Sequence, residues 1–452
     1  MNMMKKPFEM KLTPPQILVS GFAIIILFGG ILLSLPFSTR TGLGTPFLDA
    51  LFTATSAVCV TGLVVVDTGT HYSLFGQIVI LMLIQMGGLG FMTMATLVAL
   101  AIKKRITLKE RLILQEAMNQ SSIEGIVRLI KKVLAYALAI QLIGMIVFTI
   151  RWSFDMPFRQ AFYFGTFHAI SFFNNAGFDL FGLYSGKFTS IMSYVDDPII
   201  NLTSMFLIIF GGIGFIVISD MLGFRTRRSL SLHSKVVLSM SGFLIVFGAI
   251  VIFIFEFTNE KTLGSLDWTG KIWGALFQSV TPRTAGANTL DIAGLRQATQ
   301  FFIIILMFIG ASPGSTGGGI KTTTFTILIG SVIAMIRGKH DIVLFRYRLA
   351  QDRIFKAITL TLIALFLVLF TTMVLTTTED RNFLMILFEV TSAFGTVGLS
   401  MGLTPQLSEI GRIMIILMMF AGRLGPVTLA YSLRPKAEKE LYRHPEGKIT
   451  IG

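Results

Sequence analysis

The chain has 452 residues, of which 53% are hydrophobic and only 14% charged, and its mean hydropathy is +0.75. A soluble domain carries about 25% charged residues, so this composition excludes a soluble globular protein and a disordered one. The net charge of +14 does not point to nucleic acid, because Lys and Arg stand between apolar runs, where a membrane protein needs them.

Taken in chain order, eight apolar segments have membrane-spanning length: 14–36, 74–102, 124–150, 198–223, 234–257, 299–336, 356–377 and 410–432. The opening MNMMKKPFEMKLTPPQ lacks a small-residue cleavage site and leads directly into the first, so no secretory signal is read there. Four shorter apolar segments lie between successive pairs, at 45–58, 158–173, 268–281 and 382–394. At about 1.5 Å rise per residue these reach only ~20–24 Å as helix, too short to span, so they read as re-entrant. With both termini placed in the cytoplasm, 26 Lys and Arg fall on the cytoplasmic side and 9 on the outer side. Arg283, Lys321 and Arg423 remain at membrane depth. This bias satisfies the positive-inside rule and puts all four short segments outside.

Span, short segment and span recur four times, and so do residues. The short segments continue into LFTATSAVCVTGL (Leu51–Leu63), TFHAISFFNNAGF (Thr166–Phe178), LFQSVTPRTAGA (Leu276–Ala287) and LFEVTSAFGTVGL (Leu387–Leu399). Each carries one glycine in register: Gly62, Gly177, Gly286 and Gly398. The spans that follow share QMGGLGF (Gln85–Phe91), FGGIGF (Phe210–Phe215), IGASPGSTGGGIK (Ile309–Lys321) and FAGRLGP (Phe420–Pro426). The units divide as 1–122, 123–229, 230–350 and 351–452. The predicted fold class is an all-α membrane protein with eight transmembrane helices and four re-entrant half-helices.

Non-helical backbone at membrane depth is tolerated where it is buried or lines a watery path. Glycine allows conformations that turn carbonyls toward one axis. Four such loops would make rings of oxygens able to replace the hydration shell of a monovalent cation. A half-helix entering from outside also points its negative C-terminal end at the membrane centre. Segment 299–336 is too long for one crossing, and its middle, ASPGSTGGGI (Ala311–Ile320), has no large side chains to hold a helix. The helix is expected to break there, as it does at functional sites of transporters. GSTGGGIKT (Gly314–Thr322) imitates a nucleotide loop but fails it, since Ile320 intrudes before Lys321 and no strand precedes it.

These residues resemble the Trk/Ktr/HKT cation-transporter superfamily, and most closely the membrane subunit of a bacterial Ktr-type potassium uptake system. The resemblance is carried by ALFTATSA (Ala50–Ala57), VTGL (Val60–Leu63), FNNAGF (Phe173–Phe178), TPRTAG (Thr281–Gly286), FGTVGLSMGLTP (Phe394–Pro405) and GRLGP (Gly422–Pro426), and it covers nearly the whole chain. It implies four M1–P-loop–M2 repeats in one chain forming a pseudo-fourfold pore. It also implies a homodimer with two pores and a cytosolic RCK-type ring that binds the nucleotide. By that resemblance the selectivity filter is Val58, Cys59, Val60, Thr61 and Gly62; Phe173, Asn174, Asn175, Ala176 and Gly177; Pro282, Arg283, Thr284, Ala285 and Gly286; and Phe394, Gly395, Thr396, Val397 and Gly398. K⁺ would be held there as the transported ion. The gate would be Ala311, Ser312, Pro313, Gly314, Ser315, Thr316, Gly317, Gly318 and Gly319, with Lys321 and Arg423. A serine at the first filter glycine goes with sodium permeation in this superfamily; here the position is Gly62. Cys59 stands where threonine is more usual, and its side chain is read as packing.

Arg423 must face protein or water, and reads as a bond to loop carbonyls or as a positive barrier below the filter. Arg283 reads as scaffold, since a cation beside K⁺ would repel it. Asn174 and Asn175 read as braces behind the filter, and Glu389 as a brace for a filter loop, because an isolated buried carboxylate is costly. His168 reads as packing. Asp67, Asp179, Asp196 and Asp197 read either as acids that raise local cation concentration or as solvated loop residues. The basic stretches 103–125 and 337–356 offer a docking face for the ring or contact lipid headgroups. The tail 441–452 is placed in the dimer interface by resemblance.

No HExxH, nucleophile–base pattern or complete nucleotide loop is present in the sequence, so the chain is not read as an enzyme, and no cofactor is expected in it. The predicted function is K⁺ uptake across the cytoplasmic membrane of a bacterium. A Na⁺- or H⁺-coupled symporter and an organic-solute permease are the alternatives.

Overall fold

The computed structural model describes residues 13–90, 93, 108–117, 126–339, 341–426, 428–429 and 447. Among these residues the fold is built from helices. Four are long, uninterrupted and apolar: Pro14–Ser34, Ile126–Trp152, Leu232–Glu256 and Gln351–Thr378. Each is followed by a short helix: Phe47–Cys59, Phe158–Phe173, Trp268–Val280 and Phe383–Gly395. Each short helix packs back on the long helix before it.

The third helix of each unit departs from the continuous span expected at 74–102, 198–223 and 410–432. These inner helices are Leu74–Leu89, Pro198–Gly212, Gln297–Ile309 and Glu409–Leu424. They stop at Gly90, Gly214, Gly310 and Gly425, with φ of +82°, +95°, +63° and +82°. A positive φ carries the chain out of the right-handed helix, and glycine takes it without a steric penalty. The interruption expected only in the third unit therefore occurs in all four. In the second unit the chain resumes as Phe215–Arg227 after a bend of 100°. In the third it resumes as Thr322–Ile336.

The packing closes on itself. Leu74–Leu89 touches Phe158–Phe173, Pro198–Gly212 touches Trp268–Val280, and Gln297–Ile309 touches Phe383–Gly395. The last inner helix, Glu409–Leu424, touches the first short helix, Phe47–Cys59. Arg412 Nη1 donates to Asp49 Oδ1 at 2.5 Å across the same seam. The short helices are buried at their C-terminal ends, where Val58, Cys59, Phe173 and Phe394 have no exposed surface. Long apolar side chains such as Ile24, Phe28, Phe247, Ile254 and Phe366 point outward, as a hydrocarbon environment requires.

One small strand pair departs from the all-helical expectation. Val343–Leu344 pairs antiparallel with Tyr347–Arg348 around a two-residue turn, Phe345–Arg346. Both turn residues have positive φ, +48° and +69°. Ile342 is buried, and its methyl sits 3.2 Å from where a Cβ on Gly330 would stand. The hairpin thus rests on helix Thr322–Ile336.

Candidate functional site: a ring of four glycines above a loop

Each short helix ends in the same backbone sequence of turns. Two residues before each ring glycine, a non-glycine residue takes the left-handed conformation: Val60 (φ +58°), Asn175 (+59°), Thr284 (+71°) and Thr396 (+49°). Gly62, Gly177, Gly286 and Gly398 follow at φ between +67° and +91°. Such φ values are uncommon for β-branched residues and mark a backbone held by its surroundings. Hydrogen bonds supply the hold. The N–H groups of Thr61, Ala176 and Val397 each donate at 2.8 Å to a serine carbonyl five residues back, at Ser56, Ser171 and Ser392. Gly62 N–H donates to Ser56 Oγ at 3.0 Å and Gly398 N–H to Ser392 Oγ at 3.1 Å. The third loop uses Thr281, whose hydroxyl donates to the Ala287 carbonyl.

The four glycines meet head to tail. A Cβ on Gly62 would lie 2.5 Å from the Ala176 carbonyl oxygen, and one on Gly177 2.8 Å from that of Ala285. One on Gly286 would lie 2.6 Å from the Val397 oxygen, and one on Gly398 2.1 Å from that of Thr61. Any side chain at these positions would push a carbonyl of the next loop. The same glycines floor a cavity of about 430 Å³. Its walls include Asp67, Asp179, Asp291, Ser400 and Thr404.

The loop between Gly310 and Thr322 lies on the other side of the ring. Gly318 N–H donates to Thr396 Oγ1 at 2.9 Å, and a Cβ on Gly317 would lie 2.0 Å from Thr284 Oγ1. Ser312 and Thr316 N–H donate to the carbonyls of Gly212 and Gly211, and Phe215 N–H donates to that of Gly314. Lys321 Nζ folds back onto the carbonyls of Gly317 (2.6 Å) and Gly318 (3.1 Å). Arg423 donates to the carbonyls of Thr316, Gly87 and Gly88, the last at 3.2 Å. It thereby ties the loop to the end of the first inner helix.

The flanking residues have definite partners. Asn174 Nδ2 donates to Gln85 Oε1 (2.7 Å), and Asn175 Nδ2 to the Arg283 carbonyl and Thr284 Oγ1, both at 3.2 Å. Arg283 turns away from the ring and gives Nη1 and Nη2 to the carbonyl and hydroxyl of Ser241, both at 3.0 Å. Glu389 accepts from the hydroxyls of Ser400 (2.7 Å) and Thr404, bracing the stretch after Gly398. His168 accepts from Leu180 N–H through Nε2 (3.3 Å) amid Trp152, Phe164 and Phe181. Cys59 is buried. Of the acids grouped on sequence, Asp67 and Asp179 line the cavity. Asp197 instead binds Arg151 at 2.5 Å, and Asp196 lies against the Gly270 turn. Asp291 also lines the cavity, and as one acid in a polar loop it has no periodic signature in the sequence. Gln85, Gly87, Gly211 and Gly422 were visible only as parts of the motif shared by the inner spans. Stretch 103–125 lies mostly, and tail 441–452 almost wholly, outside the described residues.

Residues 13–442 match the family described as TrkH, cation transport protein. The chain is 46% identical over 442 residues to Ktr system potassium uptake protein B of Bacillus subtilis, covering 98% of this chain and 97% of that one. It is 41% identical to the potassium/sodium uptake protein NtpJ of Enterococcus hirae over the full length of both. Among solved structures, the potassium transporter TrkH of Vibrio parahaemolyticus superposes with a TM-score of 0.71 at 20% identity, over 95% of this chain and 86% of that one.

Proposed function

Because this chain belongs to the TrkH family of cation transport proteins, we propose that it is the pore-forming subunit of a potassium uptake system. The observation that carries the reading is the closed ring of four glycine loops, with a cavity on one side and a braced loop on the other. In this reading the four units surround one axis as M1–P-loop–M2 repeats. Carbonyls of Val58–Gly62, Phe173–Gly177, Pro282–Gly286 and Phe394–Gly398 take the place of the ion's hydration shell. Gly62 in the first loop favours K⁺ over Na⁺. The cavity opens outward, and its three carboxylates concentrate cations. Segment 311–320, with Lys321 and Arg423, is the gate.

Two copies form a dimer, and a cytosolic nucleotide-binding ring governs the gate through the basic cytoplasmic stretches. Helix Thr322–Ile336 and the hairpin resting on it form the mechanical connection from loop to cytoplasm. A Na⁺-coupled mode is the second reading, favoured by the relative named for both ions. The test is Rb⁺ and Na⁺ flux into proteoliposomes, with and without an imposed gradient of the other ion. Selective Rb⁺ entry that needs no Na⁺ gradient supports the pore. Entry that collapses without a Na⁺ gradient supports coupling, and absence of Rb⁺ entry overturns both.

A further inference from the structure

The inner helices touch the ring loops at a level deeper than the four glycines. A Cβ on Gly87 would lie 1.9 Å from the Val58 carbonyl oxygen. One on Gly211 would lie 1.9 Å from that of Phe173, and one on Gly422 1.9 Å from that of Phe394. In each case the oxygen belongs to the residue four before the ring glycine, and the inner-helix glycine lies three before the break glycine. Three independent places in the chain therefore carry one contact. The third unit differs: it has Met307 in register, and the Met307 carbonyl instead lies 2.7 Å from where a Cβ on Gly395, in the fourth unit's short helix, would stand.

The Val58 and Phe394 oxygens lack the helical bond that would otherwise fix them. An unbroken helix would bond the Val58 carbonyl to the N–H of residue 62 and the Phe394 carbonyl to that of residue 398. Gly62 and Gly398 give those N–H groups to Ser56 Oγ and Ser392 Oγ instead. The last carbonyls of a helix carry its partial negative charge. Only a Cα–H of glycine lets a neighbouring backbone approach such an oxygen this closely.

We infer that Gly87, Gly211 and Gly422 are positioning residues that set the depth and radius of the innermost carbonyl level. This rests on reading the ring as an ion filter. A methyl group at any of them must displace the carbonyl, the half-helix end behind it, or the inner helix, by about an ångström. Discrimination between K⁺ and Na⁺ depends on the spacing and number of such oxygens. The residues therefore act on selectivity through the carbonyl oxygens they touch, without meeting the ion.

The test compares Gly87→Ala, Gly211→Ala and Gly422→Ala in the full-length protein, reconstituted and assayed for Rb⁺ and Na⁺ flux. Gly242→Ala is the inert control, since a Cβ there meets nothing within 4 Å. Gly62→Ser controls for the filter itself. Each variant is first checked for a single detergent-solubilised species and a cooperative melt. The inference expects a folded variant to lose about tenfold in Rb⁺-over-Na⁺ discrimination, equivalent to some 1.4 kcal/mol. A change in total flux with the Rb⁺/Na⁺ ratio intact would overturn it, because a merely structural contact would do that. Failure of all three to fold while Gly242→Ala folds would also overturn it, assigning the contact to assembly. If Gly62→Ser leaves the ratio unchanged as well, the filter reading itself fails. If only Gly62→Ser alters it, the filter stands and the buttress falls.

Discussion

The ring and the loop beneath it are built on opposite principles. The ring uses four copies of one backbone path, each with a left-handed residue followed two places later by a glycine. The loop has one copy, supplied by the third unit, and takes its partners from the second and fourth: Gly211 and Gly212, and Thr396 and Arg423, the last of which also bonds Gly87 and Gly88 of the first. Repetition suits a site that must surround an ion evenly. A single asymmetric element suits a barrier, because it can leave without dismantling its neighbours. The ring is held by bonds within each short helix and by backbone contacts between loops. The loop is held by a few backbone bonds to the second unit and by side chains, Lys321 and Arg423 among them, that can let go one at a time.

The sharpest way to break this comparison is to disturb one of the four copies. Gly62→Ser adds a Cβ 2.5 Å from the Ala176 oxygen and forces an L-residue to φ +91°. We expect a loss of about tenfold in Rb⁺-over-Na⁺ discrimination, since a left-handed L-residue alone costs about 1–2 kcal/mol. Competition between Rb⁺ and Na⁺ in proteoliposomes measures it, and an unaltered ratio in a folded variant removes Gly62 from the ion path. The next effect is on rate. Shortening 311–320 to a few glycines should raise Rb⁺ flux severalfold with little change in the ratio, because the carbonyl ring is left alone. A shortened protein that conducts no faster would show that the loop is not the barrier.

The two regions were unequally legible in the sequence. The ring could be read because one glycine recurs at the same distance from four half-helices, and chance does not align four. The break at 311–320 could be read because its run of Gly and Ser offers nothing to pack. The breaks at Gly90, Gly214 and Gly425 could not, because a few glycines set among leucines, isoleucines and phenylalanines leave the segment apolar enough to read as one span. Only the shared GG-x-G spacing in the first two spans hinted at them, and its meaning required the carbonyls of Val58 and Phe173 opposite. The hairpin at Val343–Arg348 escaped for a similar reason. Its turn would ordinarily carry Asn or Gly, and Phe345–Arg346 carries neither. Long-range partners such as Gln85 with Asn174 have no sequence signature at all.

Arg423 tests the side-chain half of the comparison. Its guanidinium joins the loop carbonyl of Thr316 to Gly87 and Gly88. Arg423→Ala should loosen the loop and remove a charge that repels a cation below the ring. Basal Rb⁺ flux should rise about twofold or more, a smaller change than loop removal, because Lys321 still holds Gly317 and Gly318. A fall in flux would mean that the arginine chiefly supports the open path.

The smallest expected effect lies on the cavity side and concerns charge alone. Asp179 stands two residues after Gly177, lines the cavity, and accepts the Phe181 N–H at 2.9 Å. Burial pushes its carboxyl up to about 7, the Phe181 N–H pulls the other way, and the charge of Asp67 adds to the rise. Asp67 is differently occupied, taking Thr70 and Phe188 N–H groups on its two oxygens. Asp179 is thus anionic above pH 7 and neutral below it. Its charge concentrates cations over the ring, so lowering the cavity-side pH from about 8 to 6 should reduce Rb⁺ entry at limiting Rb⁺ by about twofold. Added salt of an impermeant cation should shrink the effect, since screening shortens the reach of the charge. Asp179→Asn should give the low-pH rate at both pH values, with the Rb⁺/Na⁺ ratio unchanged, because the carbonyl ring is untouched. A variant that keeps the full pH dependence of the parent would overturn the assignment of the titration to Asp179.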